Sequence, residues 1–297
     1  MKPPPFEYLR PETADEAVMT LKERQFDAKV LAGGQSLVPV LRMRMTDVAC
    51  LVDVTRIARL QGIDEESDGV LRVGACVRQR ELERSAVAQA EAPLLVEALG
   101  LVAHPEIRTR GTVGGSLAHA DPAAELPAVA VALGAEMEII GSEGSRLEPA
   151  ESFFLHMFTT TLGEDELLAA ARFPRAARGE GSAVLEVSRR PGDFAMAGVA
   201  ARVVQEDGDC REASVVPFGV ADAPRRLGAV EERLIGSRLD DDDLAEAGAL
   251  AAAAVEPQDD VHASATYRRR AVGVLCRRAL HSARARAADS GLGRVAP

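Results

Sequence analysis

The sequence predicts an α+β protein of two domains, and three observations carry that expectation. The 297 residues are enough for two separate cores. The first part interleaves helical and strand patterns with glycine turns, whereas the later part runs three strands together through short turns, the mark of an antiparallel meander. Between them lies "PRAARGEGS" (174–182), polar and glycine-rich, which sets the boundary at residues 176/177.

Each element follows from its local pattern. "ETADEAVMTLKER" (12–24) reads as a helix with Thr13 as its cap, Glu16 completing a capping box, and Ala17, Leu21 and Arg24 at helical spacing. "AKVLAGG" (28–34) is a short buried strand ending in glycine, and "CLVDVTRI" (50–57) a second, with Asp53 at its end. "GVLRVGACV" (69–77) alternates as a third strand. Residues 78–103 are helical with an interruption near Pro93. "EMEIIGSEGSRLEPA" (136–150) is a hairpin, and "ELLAAARFP" (166–174) a strand ending at Pro174. "AVLEVSRR", "AMAGVAARVV" and "EASVVPFGVAD" form the meander. A helix over 224–236 stops at Gly236. The run 240–255 starts with acids where the helix dipole favours them. The last helix (264–287) is long and basic, with Ala271, Val274, Leu275 and Ala279 expected to face inward.

Composition narrows the function. Hydrophobic residues at 47% and charged residues at 27% are an ordinary globular balance. The net charge of −11 gives no basic face for a phosphate backbone, which argues against nucleic acid. Trp is absent and only two Tyr occur, so stacking platforms for single strands lack their aromatic residues. Cys50, Cys76, Cys210 and Cys276 are scattered, with no Cys-x-x-Cys, which disfavours a cysteine-built metal site. No stretch has membrane-spanning length and no leader-like apolar segment opens the chain, so the expected setting is the reducing cytoplasm without membrane insertion.

The chemistry concentrates in two glycine loops, "LAGGQSLVPVLRMR" (31–44) and "RGTVGGSLAHADPAAELP" (110–127). Gly33-Gly34 and Gly114-Gly115 let a ligand approach the main chain. Gln35, Ser36, Thr112 and Ser116 add donors, and successive N–H groups form an anion nest. Two such nests suit a diphosphate without any lysine. The other reading of each Gly-Gly pair is a structural turn. Walker, Gly-x-Gly-x-x-Gly, Gly-x-Ser-x-Gly and His-Glu-x-x-His patterns are all missing. Asp121 and Glu125 read either as paired acids or as the start of a helix near Pro127.

Those two loops, followed in the same order by "SRRPGDFAMAGVAA" (188–201), resemble the FAD-binding medium subunit of molybdenum hydroxylases, the carbon monoxide dehydrogenase and xanthine dehydrogenase family. The resemblance runs from "FEYLRPET" (6–13) to "ATYRRRAVGVLCRRAL" (265–280). It implies a vanillyl-alcohol-oxidase/PCMH-type FAD-binding domain over 1–176, with subdomains of about 1–57 and 58–176, then a smaller α+β C-terminal domain over 177–297. It also implies an FAD-dependent oxidoreductase. Leu31, Ala32, Gly33, Gly34, Gln35, Ser36 and Leu37 would wrap the diphosphate from one side and Thr112, Val113, Gly114, Gly115 and Ser116 from the other, so that a side chain at Gly114 would fill the diphosphate space. Ala120 and Asp121 adjoin that loop, Glu125 is the first candidate for a flavin-contacting acid with Asp121 second, and Leu168 is expected near the flavin or its linker. Relatives with a lysine just before "RR" contrast with Glu186, Val187 and Ser188 here. Arg189, Asp193 and Phe194 are placed near the isoalloxazine or, equally, in hydrogen bonds between domains.

The implied partners are a molybdopterin-containing large subunit and a small subunit with two 2Fe–2S clusters, assembled as a dimer of heterotrimers. Electrons pass from the clusters to FAD and on to an external acceptor. The cysteine-rich insertion of the 4-hydroxybenzoyl-CoA reductase subgroup is missing, so FAD alone is expected. Two rival readings are a stand-alone flavoenzyme acting directly on a small molecule and a module that has lost FAD; the four intact glycines oppose the latter.

Overall fold

A computed structural model describes residues 2–292. The chain opens with β1 (Glu7–Leu9), α1 (Ala14–Arg24), β2 (Ala28–Leu31), α2 (Leu37–Met43) and β3 (Cys50–Asp53). The strands form a parallel sheet in the order β1-β3-β2. α1 covers it with Ala14, Ala17, Val18 and Leu21. Thr13 caps α1 by accepting from the Glu16 N–H, but the returning Glu16 carboxylate accepts from the Glu12 N–H rather than from that of Thr13. Because β2 and β3 are parallel, Leu31 lies opposite Asp53 and both strands end on one edge, where the first glycine loop begins. Tyr8 donates to Asp53 there, and the Thr55 N–H and hydroxyl fill the other carboxylate oxygen.

The second unit contains β4 (Ile63–Glu65), β5 (Val70–Gly74), α3 (Gln79–Glu83), α4 (Ala86–Glu91), α5 (Pro93–Leu101), α6 (Pro105–Arg108), α7 (Val113–His119) and α8 (Glu125–Ala132). β6 (Glu136–Gly141), β7 (Gly144–Pro149), α9 (Ala150–Phe153), β8 (Phe154–His156), β9 (Thr159–Thr160) and β10 (Leu167–Pro174) follow. The sheet order is β4-β5-β10-β6-β7, antiparallel throughout. Every residue of α8 is buried, so this helix is the centre of the largest core. Where one interrupted helix was expected over 78–103 there are three, because the Ser85 hydroxyl caps a new start and Pro93 opens another.

β11 (Glu180–Val187), β12 (Ala197–Glu206) and β13 (Asp209–Phe218) form the expected antiparallel meander. α10 (Gly228–Leu234), α11 (Asp241–Ala254) and α12 (Ala265–Leu292) follow. α10 is shorter than its pattern, and Asp240 with Asp243 completes a capping box on α11. α12 packs on β11, β12 and α11, while α5 and α8 contact the same sheet. The sheet is therefore covered on both sides, with Ala183, Val199 and Ala201 in one core and Val184, Ala200 and Val216 in the other. Val274 corrects the expectation for α12: it is exposed, and the buried stripe runs Val272, Leu275, Cys276, Ala279, Leu280, Ala283 and Ala287. Contact with both α11 and the sheet rotates the buried face by a residue. No helix among the described residues is long and apolar enough to cross a membrane.

Candidate functional site

The first loop leaves β2 at Leu31, passes Ala32, Gly33, Gly34, Gln35 and Ser36, and enters α2 at Leu37. Gly34 takes φ +71°, a conformation that disfavours any side chain. The Gln35 amide donates to Gly33 O at 3.0 Å, so that side chain braces the loop from within. Val38 N–H donates to Gly34 O, whereas the N–H groups of Gly34, Gln35 and Ser36 find no acceptor among the described residues. They are the open donors of this loop.

The second loop is built differently. Thr112 caps α7, its hydroxyl accepting from Gly115 N–H at 3.0 Å. Val113 N–H donates to Val77 O, Gly114 N–H to Ala75 O and Ser116 N–H to Thr112 O. Donors from Val113 to Ser116 are thus engaged by the chain itself, and the Ser116 hydroxyl is the side-chain donor left open. A Cβ on Gly114 would collide with Ala75, so glycine there serves packing of α7 against the end of β5; this corrects the expectation that a side chain at Gly114 fills ligand space.

The two loops interlock. A Cβ on Gly33 would lie 2.5 Å from Arg110 O and 2.8 Å from Gly111 Cα. One built on Gly115 would lie 3.7 Å from Ala32 Cβ. The Gly33 approach needs bare backbone, whereas the Gly115–Ala32 approach is an ordinary contact and Gly115 is held bare by its own cap, Thr112 Oγ1, which a Cβ there would meet at 2.7 Å. The helices α2 and α7 have only seven residues each, so what they present is first-turn N–H groups rather than a large dipole.

Beyond α7 the chain turns at Ala120 (φ +50°) into Asp121, whose carboxylate accepts from Ala123 N–H at 2.9 Å. Glu125 starts α8 and is buried. Burial first, then the charges of Glu186 and Asp121, push its carboxyl up to about 8, against the opposing pull of its own backbone N–H and of Arg108. Burial likewise raises Glu186, at the end of β11, to about 7, and its Oε2 is buried without a hydrogen-bond partner. Leu168 is buried on β10 at a bulge, paired with Ile139. The 188–194 turn between β11 and β12 exposes Arg189, Asp193 and Phe194, the last 70% exposed. Gly192 in this turn abuts the His104 imidazole, so the turn sits against the segment leading through α6 into the second loop.

Two supports escaped the sequence reading. Buried Arg108 grips Glu83 with two nitrogens and donates to Val102 O and Ala103 O. Arg268 donates to Met196 O, Gly219 O and Asp260, and Gly219 N–H donates to Pro122 O at 2.8 Å. An arginine after a helix-opening proline, or among the basic residues of α12, carries no local sign of burial.

Two interlocked loops of bare peptide with open first-turn N–H donors form a cradle suited to an anionic group such as a diphosphate. Residues 4–176 match the FAD binding domain in molybdopterin dehydrogenase, and residues 182–283 match the CO dehydrogenase flavoprotein C-terminal domain. The chain is 39% identical over 289 residues to the 6-hydroxypseudooxynicotine dehydrogenase complex subunit alpha of Paenarthrobacter nicotinovorans, covering 96% of this chain and 97% of the relative. It is 37% identical over 288 residues to the carbon monoxide dehydrogenase medium chain of Hydrogenophaga pseudoflava, covering 97% and 100%. The solved carbon monoxide dehydrogenase of the latter organism superposes with a TM-score of 0.94 at 37% identity, over 96% of this chain and 99% of the other. Quinoline 2-oxidoreductase from Pseudomonas putida 86 gives 0.91 at 33% identity, over 98% and 100%. The chain belongs to the FAD-binding medium subunits of the molybdenum hydroxylases. Its fold is an FAD-binding domain followed by the flavoprotein C-terminal domain, its cofactor is FAD, and it is a flavoprotein oxidoreductase subunit.

Proposed function

We propose that this chain holds FAD across its two interlocked glycine loops and works as the electron-transfer subunit of a molybdenum hydroxylase complex. Electrons would come from 2Fe–2S clusters of a small partner subunit and leave to an external acceptor, while a molybdopterin-containing large subunit oxidises the substrate. The observation that carries this reading is the contact of Gly33 with the Arg110–Gly111 backbone, which joins two separately encoded cradles into one.

Bound FAD supplies the conversion between single electrons from a cluster and the pair delivered to an acceptor. The residues from Leu31 to Leu37 would hold the diphosphate through the open N–H groups of Gly34, Gln35 and Ser36. Thr112 to Ser116 would hold it through the Ser116 hydroxyl and the rigid start of α7. In this reading the turn at Ala120 would aim Asp121 and Glu125, buried Leu168 would wall the site, and the exposed Arg189, Asp193 and Phe194 would border it from the C-terminal domain. In this reading residues 1–176 form the FAD domain and 177–297 the second domain. No general base of the chain is required, since substrate oxidation falls to the large subunit.

The test is purification with FAD followed by anaerobic reduction, with and without the large and small subunits. Reduction by the substrate of the complex only in the presence of both partners is expected. Direct reduction of the isolated subunit by the substrate of the complex would overturn the electron-transfer assignment, and failure to retain or rebind FAD would overturn the site.

A further inference from the structure

We propose that Arg78, in the segment joining β5 to α3, belongs to the cofactor site: its guanidinium sits at the seam between the two glycine loops and pairs with the diphosphate of FAD. The inference rests on the FAD reading above and adds to the site a cation that neither loop contains.

The second loop is laid against residues 75–79. Val113 N–H donates to Val77 O and Gln79 N–H to Gly111 O, which leaves Arg78 and Thr112 directly opposite each other as an antiparallel pair. A pair flanked by hydrogen bonds rather than joined by them brings its side chains closest, and both lie on the same face. Arg78 has the extended backbone that this pairing requires, with φ −70° and ψ 137°. The shared face is the one on which the Thr112 hydroxyl caps α7 at Gly115 N–H, and a Cβ on Gly115 would lie 3.7 Å from Ala32 Cβ of the first loop. From this face the Arg78 guanidinium reaches Arg110 O and donates to it. That carbonyl is the one a Cβ on Gly33 would meet at 2.5 Å. The pairing with Thr112 and the bond to Arg110 O thus put Arg78 where the two loops touch.

The charge is what the cradle lacks. No cation occurs from Leu31 to Leu37 or from Gly111 to Ser116. The N–H groups of Gly34, Gln35 and Ser36 and the Ser116 hydroxyl are neutral donors, whereas a diphosphate brings two negative charges. A guanidinium carries five N–H donors in a planar fork. Arg78 uses one nitrogen on Arg110 O, and its side chain makes no other hydrogen bond or ion pair among the described residues. The donors left over suit phosphate oxygens, and the charge strengthens each bond. Arg110 is the other arginine at the seam, but its side chain is exposed and held by no partner among the described residues. Arg78 is half-buried and its tip is already fixed by a carbonyl, so it loses little freedom when the ligand arrives.

Titration of FAD into the FAD-free chain, followed by quenching of flavin fluorescence at low and high salt, tests the pairing. Arg78→Gln should raise Kd about 10-fold, the loss expected for hydrogen bonds to a charged group. Between about 0.05 and about 0.5 M NaCl the unaltered chain should lose affinity for FAD, and Arg78→Gln should lose less, because the ion pair that salt screens is gone. Arg78→Lys keeps the charge without the fork, so it should retain the salt dependence at a Kd between the other two. Arg211→Gln removes the same charge from an exposed position of β13 and should change neither quantity. If Arg78 only clasps the loops together, its replacement by Gln weakens binding but leaves the salt dependence intact. That result, or an Arg78→Gln protein that binds FAD as tightly as the unaltered chain, would overturn this inference and leave the FAD site standing. Absence of FAD binding by the unaltered chain would overturn the functional reading and this inference with it. Should Arg78→Gln fail to fold, Arg78→Lys decides: a retained salt dependence supports the pairing, and a salt-independent Kd overturns it.

Discussion

Gly33→Ala tests the joint between the two loops with a single methyl group. The new Cβ would lie 2.5 Å from Arg110 O, 2.8 Å from Gly111 Cα and 3.1 Å from Arg110 C. All three atoms are backbone, so no side chain can swing aside, and the loops must part to make room. Overpacking of this kind costs about 1–3 kcal/mol. If the loss falls on the assembled cradle, FAD affinity drops about 5- to 150-fold. Gly100→Ala is the matched control, because a Cβ at position 100 of α5 meets nothing within 4 Å. It should leave affinity unchanged and stabilise α5 by about 0.5–1 kcal/mol. The assay is quenching of flavin fluorescence on titrating FAD-free protein, with thermal unfolding alongside. A Gly33→Ala protein that binds FAD as tightly as the unaltered chain would refute the claim that close contact of the two loops builds the site.

Three further outcomes follow from the same geometry. Thr112→Val removes the hydroxyl that caps α7 and should lower stability in urea by about 1 kcal/mol. Gln35→Ala removes the brace on Gly33 O, and titration should show a loss of FAD affinity of about 2- to 10-fold, from a net hydrogen-bond worth of about 0.5–1.5 kcal/mol. Glu125 has a folded-state carboxyl raised from 4.5 to about 8, so between those values the unfolded chain ionises while the folded chain keeps its proton. Its contribution therefore weakens stability progressively as pH rises through that window and levels off above it. Glu125→Gln should raise the unfolding temperature relative to the unaltered chain above pH 7 and much less near pH 4.5, as scanning calorimetry across the range will show.

The parts of the fold written in local patterns were legible. β2, β3, β5, the β6–β7 hairpin, β10 and the meander all combine apolar runs with flanking turn residues. β1 was not, because "EYL" is short and polar and becomes a strand only by pairing with β3. The positions of the glycine loops could be read, but not how their donors are shared. Engagement of the Val113 and Gly114 N–H groups depends on Val77 and Ala75, more than thirty residues away. The same limit hid the burial of Glu186: desolvation of a carboxyl at a strand end is set by tertiary packing, and no spacing in "LEVSRR" encodes it. Val274 was misplaced because helical periodicity fixes a stripe only to within a residue when two partners compete for the helix.

Beyond the packing of α8 on the meander, a chain of hydrogen bonds ties the C-terminal domain to the turn before Glu125, which makes Arg268 an informative residue outside the loops. Arg268 lies on α12, is 6% exposed, and holds Met196 O and Gly219 O together. Gly219 N–H holds the carbonyl of Pro122, the residue directly after Asp121 and three before Glu125 at the start of α8. Arg268→Met keeps much of the apolar stem but removes every donor. Stability should fall by ~1–3 kcal/mol for each of the two carbonyls left unpaired. If the C-terminal domain were only an appendage, the damage would stop there. With Pro122 tethered through Gly219, the Asp121–Glu125 turn should also loosen, water should reach the acid, and its titration should move down from about 8 toward the ordinary carboxylate range. Infrared titration of the FAD-free variant reads that shift independently of FAD. A destabilised Arg268→Met protein whose Glu125 titrates as before would show that this tether does not shape the turn, and that burial of the acid is set by the packing of α8 alone.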